Sequence, residues 1–462
     1  MIAWHRAALA WAVVVSLGLG YFVWRIPVQI TDALPNLVAV DGVTWWEAAQ
    51  GAGLFSRPVQ RLQIKLVYDL SGGAVTEAFR AVHVIQILLC GLFFVSALRV
   101  RDWSIGCAVP VGLAILFGTH TFEGTIREAF PINHFLTVVL CSLLVLNLSL
   151  GEHAWWRDLI AVAVYYVAQN TIESGAVVFL CALAVRAAGG RGLSWRAVTL
   201  MGVLVLAYFG LRAVYAPPPM LERETGYGLR MLSSGELQAR FGAFPAQLYG
   251  YNVVSQFLSV LLSEPRNGQW ATVAHVLGGE LKPGRVIALS TSLAATALIG
   301  YYVIARWREW RRRSFNDHDR VVIAFVAVLI GCAGVSVSYV KDVVVSPAGV
   351  FHALAATVAV ATVLRRLAGA SRPTVVVMSA LLFLFACGWT IRLVGMHYQM
   401  RTAAYYTRND WADMETLAEK EGLGLADPAR RRLAERLFRD ALENRAPALR
   451  FTVSPWFDKY VY

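Results

Sequence analysis

The acids and bases of this sequence collect at a few places, nearly all beside an apolar run. Asp32 and Asp41 stand nine residues apart in QITDALPNLVAVDG, just after the first run. His120, Glu123, Arg127 and Glu128 crowd into HTFEGTIREAFPINHF, and Glu173 sits in QNTIES between two short apolar stretches. The bases follow suit. Arg80 and His83 stand at the entry of one run, Lys341 lies between two, and His352 is one turn into the second of these. Arg392, His397 and Arg401 surround the end of the last. Together such groups suit a substrate with a phosphate and a reacting hydroxyl. Cations hold a phosphate leaving group and neutralise its developing charge, and a carboxylate takes the proton from the acceptor. An apolar groove between helices takes a lipid tail.

Each residue alone has a plainer reading. A loop carboxylate is solvated, and a cation at a helix end snorkels to headgroups. His352 reads equally well as a hydrogen-bonded core histidine. Glu173 differs, because an ionisable group at membrane depth is costly and takes a partner or a function. Asp41 is followed at once by Gly42, the pair of an ordinary turn. Asp32 is therefore the expected base.

The elements that must position these groups are read from the apolar runs. The chain has 462 residues, 57% hydrophobic and only 16% charged, where soluble domains carry about 25% charged residues. Runs of roughly 17–22 residues recur, long enough to cross a hydrocarbon core of about 30 Å. The expected class is an all-α polytopic membrane protein. The net charge of +12 does not indicate nucleic acid. Its basic residues sit in short stretches between runs, RVRDW, RAAGGRGLSWR, RWREWRRRSFNDHDR and RRLAGASR, which is the positive-inside pattern. Affinity for anionic membrane lipids follows from it. The six cysteines fall inside apolar runs as small buried hydrophobes.

With the basic turns placed in the cytoplasm, about eleven spans thread consistently. They lie near 4–24, 81–98, 104–118, 133–150, a pair within 159–188, and near 197–215, 286–305, 321–340, 348–364 and 375–395. The pair has only about thirty residues where two crossings need roughly forty, so it must be short, tilted or broken. Long outer loops, 25–80 and 216–284, and a C-terminal outer appendage, 396–462, flank the spanning domain 1–395. YNVVSQFLSVLL is too short to span and reads as an interfacial or re-entrant helix. Asp427-Pro428 is an N-cap and first-turn pair for a helix to about 444, and RFTVSPWF alternates as a short strand would. Function belongs on the outer side, where the long segments are.

Several stretches then resemble the polytopic GT-C-type glycosyltransferases, which use polyprenyl-phosphate-linked sugars on the outer face of the membrane. The long acidic loop after the first span is similar to the loop that supplies that family's catalytic carboxylate, and TWWEAA could begin one of its amphipathic helices. HTFEGTIREAFPINHF looks like the second outer loop, with Glu128 and Phe130 at the acid and aromatic positions. YYVAQNTIESGAVVF resembles the run in which a polar-acid pair, here Ile172-Glu173, introduces a short helix. SYVKDVVVSPAG resembles the Arg-Tyr-x-x-x-Pro segment, with Lys341 at the basic position and Pro347 after it. The departures are a split acid pair, a lysine in place of arginine, which lacks bidentate phosphate geometry, and no lysine before Glu173.

The resemblance implies a GT-C-like fold in a cell membrane, expected as a bacterial inner membrane with its active site on the periplasmic side. It implies a polyprenyl-phosphate-sugar donor and a glycan, lipid or protein acceptor. Asp32 and Asp41 are the candidate catalytic residues, and Glu128, Glu173, Lys341, His352, Arg80, His83, Arg392, His397 and Arg401 the candidate substrate-binding ones. Such enzymes divide between those that use a divalent cation and those that do not, and no hard-oxygen cage in the sequence selects one. Two other classes fit many spans and large outer loops. A polysaccharide polymerase or ligase would use outer arginines such as Arg223, Arg230, Arg240 and Arg266. A transporter or flippase would carry paired broken spans in corresponding halves, which the sequence lacks.

Overall fold

A computed structural model of the chain describes residues 2–24, 35–50, 57–121, 134–215, 235, 238–239, 242, 247–263, 268–279, 283–337, 342–412 and 424–443. It is helical throughout, with no strand among the described residues. Six helices are long and apolar enough to cross a membrane. They are α1 (Ile2–Val23), α4 (Val75–Ala97), α12 (Pro283–Arg311), α13 (Asp317–Val335), α14 (Ser346–Leu367) and α15 (Arg372–Ala412). Three shorter apolar helices accompany them, α5 (Trp103–Gly118), α6 (His134–Ser149) and α9 (Trp195–Tyr215). The remainder are α2 (Trp45–Gln50), α3 (Pro58–Leu70), α7 (Trp155–Thr171), α8 (Val177–Ala187), α10 (Gln247–Leu261), α11 (Gly268–Leu277) and α16 (Pro428–Glu443). The strand expected at 450–457 lies outside the described residues.

Helix α14 is apolar on all sides and is buried on all sides, between α5, α12 and α13, as an all-round apolar helix must be. A Cβ at Gly112 of α5 would collide with the Thr357 side chain of α14, so glycine sets that approach. The expected short hairpin is present. Helices α7 and α8 are joined by a 3-10 turn, Glu173–Ala176, and a Cβ at Gly175 would strike the Ala168 backbone.

The basic turns meet at one end of the bundle. His318 contacts the Leu98 carbonyl at 3.3 Å, Arg101 pairs with Asp317 at 3.7 Å, and Arg320 donates to the Ala188 carbonyl at 3.2 Å. Exposed Trp4, Trp103, Trp155, Trp195 and Trp307 lie at helix ends on this side, and Arg186 and Arg311 stack on Trp195 and Trp307 at 4.9 and 5.3 Å. A ring of Trp beside Arg at helix ends is the composition of a membrane interface.

Caps fix where the helices start. Asp102 accepts from the Ser104 and Ile105 amides at 2.9 and 3.2 Å and begins α5. Burial works to raise its carboxyl, but the Ser104 and Ile105 donors outweigh it and hold the group below its ordinary range. A depressed carboxylate contributes stability above the unfolded value and loses it as the pH falls through the folded one. Asp102→Asn, which caps without titrating, is therefore expected to flatten the melting profile below about pH 4. Asp102→Ala is expected to cost about 0.5–2 kcal/mol at neutral pH, read by thermal melting in detergent.

Two expected boundaries differ. Helix α4 begins at Val75, not near 81, so Arg80 and His83 lie inside the helix and are buried. Its start is set by the turn at Gly72 and Gly73, whose φ values of 58° and 103° suit glycine. Helix α15 runs unbroken past 395 to Ala412, so the expected appendage begins as a continuation of the last span. Its helix α16 starts at the Asp427 cap, which accepts from the Ala429 amide at 2.8 Å. Leu433, Ala434 and Leu437 of α16 share an apolar cluster with Leu37, Val40, Ile64, Val67, Val75 and Phe79. The tail is thus joined to the segment between α1 and α4.

Candidate functional site

The end opposite the basic turns holds the site. Helix α3 lies across it, packed on α4 and α7. Arg57, Gln60, Ile64 and Val67 recur at three- and four-residue spacing along one face of α3. The early part of that face is polar and the late part apolar. Ile64 and Val67 enter the cluster with α16. Gln63, beside them, and the earlier polar residues reach other helices. Arg57 pairs with Glu173 at 3.0 Å, Gln60 meets His134 Nδ1 at 3.3 Å, and Gln63 donates to Thr171 at 3.4 Å. Arg57 holds a left-handed backbone, φ 48°, which costs a non-glycine residue roughly 1 kcal/mol or more.

Below this roof α4 presents Arg80, His83 and Gln86, three residues apart and buried on successive turns. Gln86 donates to Thr137 of α6 at 3.0 Å. Arg80 is only 2% exposed, and its Nε and Nη2 have no hydrogen-bond partner. No ion pair with Arg80 occurs among the described residues. A buried guanidinium with no anion is expensive, and the chemistry that would satisfy it is a phosphate or carboxylate held in its fork.

The expected residues separate accordingly. Arg80 and His83 are buried in α4 and Glu173 follows α7, the two helices on which α3 packs, and Glu173 is the partner of Arg57. Asp41 lies at the far end of the roof, where it accepts from the Tyr68 hydroxyl at 2.8 Å, and Gly42 after it has φ 69°. Burial, then the Asp41 carboxylate, raises the Tyr68 hydroxyl above its ordinary value, so Tyr68 remains a donor.

Arg392 is engaged within the protein. It donates to Ala288 O at 2.9 Å, Ser292 Oγ at 2.7 Å and Ser263 O at 2.8 Å, and stacks on Trp389 at 4.3 Å. His352 is fully buried beside Thr296 at 3.4 Å, with the Phe325 ring 5.6 Å away. Asp32, Glu128 and Lys341 lie outside the described residues, as do the side chains of His397 and Arg401.

Arg57, Gln60 and Gln63 escaped the sequence reading. Their spacing was visible, but their partners are 74 to 116 residues away. Among the described residues no three His, Cys, Asp or Glu side chains converge as a metal site would require.

The fold and the apolar helices define an all-α, multi-pass membrane protein. Comparison with family models, with curated proteins and with solved structures found no match.

Proposed function

We propose that this chain is an integral-membrane glycosyltransferase of GT-C type, moving a sugar from a polyprenyl-phosphate donor to a glycan, lipid or protein acceptor. It works at the outer face of a cell membrane, in this reading a bacterial inner membrane. The six long helices, the three shorter apolar ones and the α7–α8 hairpin make up its eleven crossings. The observation that supports it best is the buried Arg80 guanidinium, whose Nε and Nη2 have no hydrogen-bond partner and which pairs with no acid among the described residues, at the end of the bundle opposite the positive turns.

In this reaction the acceptor hydroxyl oxygen attacks the anomeric carbon. The bond from that carbon to the phosphate oxygen breaks, and polyprenyl phosphate leaves. Arg80 neutralises the charge that gathers on the phosphate. Asp32, on the segment between α1 and the roof, takes the acceptor proton. Glu173 and Arg57 hold the roof down and act by position.

Asp32→Asn is expected to melt as the parent does and to lose transfer by roughly 10²–10⁴-fold. Release of polyprenyl phosphate from a panel of labelled polyprenyl-phosphate sugars measures it. Full transfer by this variant removes Asp32 from the mechanism, and no release by the parent with any donor removes the reaction.

A further inference from the structure

Arg99, Arg101 and Arg157 gather at the basic end of the bundle, where the α4–α5 turn meets the end of α6. Arg99 Nη2 donates to Asn147 O at 3.0 Å and Arg157 Nη1 to Leu148 O at 3.4 Å. Two guanidiniums thus hold consecutive carbonyls in the last turn of α6. The Arg157 guanidinium lies against Gly151, where a Cβ would collide with it. Arg101, two residues on from Arg99, has its side chain 72% exposed. Burial lowers the Arg99 guanidinium from its ordinary value. Asp317 opposes that, while Arg101 and Arg157, close enough to repel it, add to it.

The protein answers only part of this charge. A helix C-terminus carries about half a negative charge, which one cation satisfies. Asp317 is taken by Arg320 at 2.7 Å, and Arg101 stands off it at 3.7 Å. Asp158 accepts from the Ser194 amide at 2.9 Å and meets His153 at 3.2 Å. Among the described residues neither Arg99 nor Arg157 pairs with an acid. Each guanidinium gives one hydrogen bond to the protein, and the Nε of each has no partner. Arg99 also holds a left-handed backbone, φ 49°, just past α4, a position that glycine fills without strain.

The surroundings select the anion. Trp103, Trp155 and Trp156 are exposed at the starts of α5 and α7, and Trp156 stacks on Arg157 at 5.1 Å. Exposed tryptophans at helix ends lie at headgroup level, and the arginines beside them lie there too. Leu159, Ile160 and Ala163 follow Trp156 at helical spacing and are all exposed, an apolar stripe running down α7 from the cations. A free phosphate gains nothing from that stripe. A phospholipid places its phosphate in the guanidinium forks and an acyl chain on the stripe. A headgroup with a cation of its own is repelled by three arginines, which leaves an anionic one.

We infer that Arg99, Arg101 and Arg157 form a binding site for one anionic phospholipid, with its phosphate among the guanidiniums and an acyl chain along α7. The net charge of +12 draws such lipids loosely to every basic turn; here one is held. The site lies at the opposite end of the bundle from Arg80 and does not rest on the glycosyltransferase reading.

The test uses the full chain in nanodiscs of phosphatidylcholine with a minor share of phosphatidylglycerol. Native mass spectrometry of the released protein is expected to find one phosphatidylglycerol retained. Arg101→Gln with Arg157→Gln is expected to weaken that retention about tenfold or more. Arg308→Gln with Arg312→Gln removes the same charge from exposed positions at the same end and is expected to leave it within about twofold of the parent. Equal loss in the two pairs, or no preference over phosphatidylcholine, overturns the site.

A second readout uses the unaltered protein and so does not depend on any variant folding. Phosphatidylglycerol with a diazirine on its acyl chain is expected to crosslink to α7 between residues 155 and 166. Phosphatidylcholine with the same chain is expected to do so about fivefold less, and excess inorganic phosphate to change neither. Crosslinking that ignores the headgroup, or that falls elsewhere than α7, overturns the proposal. Loss of the crosslink in inorganic phosphate assigns the arginines to a free anion and overturns the lipid. No sugar donor enters either experiment, so failure here leaves the proposed reaction as it stands.

Discussion

Arg80→Met is expected to give a protein that is more stable than the parent and inactive. The two effects have one cause. Arg80 is buried in α4 with two guanidinium nitrogens unpartnered, so the folded protein carries the desolvation cost of a cation that no ion pair among the described residues offsets. Methionine keeps much of the side chain's volume and removes the charge. Replacing buried ionic groups by apolar ones stabilises by about 1–4 kcal/mol in favourable cases, which a melting curve in detergent resolves. If the guanidinium receives a leaving phosphate, the same change removes its electrostatic stabilisation and lowers turnover roughly 10²–10³-fold. Arg80→Lys keeps the charge without the fork and falls between the two. A lower melting temperature for the methionine variant would show that Arg80 is bonded within the protein.

The largest loss of stability is expected at the opposite end, at Asp319. Its carboxylate is completely buried and accepts from Tyr302, Trp310 and the Asn316 amide at 2.8, 2.9 and 2.8 Å. Arg306 adds a two-pronged contact at 3.0 and 2.8 Å. The Asp319 amide returns a bond to Asn316 at 2.8 Å, which completes the cap of α13. This one group clamps the α12–α13 turn. Asp319→Ala leaves Arg306, Tyr302 and Trp310 facing a gap and is expected to cost about 3–5 kcal/mol, a large share of the roughly 5–15 kcal/mol that holds a protein folded. Loss of monodisperse protein in size-exclusion chromatography reads it. Adding Arg306→Leu to Asp319→Leu is expected to recover part of the loss, because the stranded charge goes as well. An Asp319→Ala protein that melts with the parent would contradict the clamp.

The sequence foretold these features unevenly. Apolar runs placed the helices within a few residues, since burial in lipid or in a bundle leaves the same signature in composition. Asp427 announced α16, and QNTIES announced a break, because caps and glycine turns are local. Arg80 and His83 were legible as chemistry but not as depth. Two polar residues beside an apolar run look like its edge, and only the turn at Gly72 and Gly73 shows that α4 begins before them. Asn252, Gln256 and Ser259 have helical spacing in the sequence, yet spacing does not say which face turns inward. That is decided by α13 and α14, far along the chain. The roof contacts of Arg57 and Gln60 are long-range for the same reason, and no local pattern carries them.

The cluster that joins α3, the start of α4 and α16 also bears on how the protein is made. Ile64, Val67 and Phe79 leave the ribosome well before Leu433, Ala434 and Leu437, which cover them and emerge only after the six long apolar helices α1, α4 and α12 to α15 have been synthesised. Until then the face of α3 that meets α16 is an uncovered apolar flank. The six long helices can thus be in the membrane while this end of the bundle is unfinished, its assembly waiting on the arrival of α16.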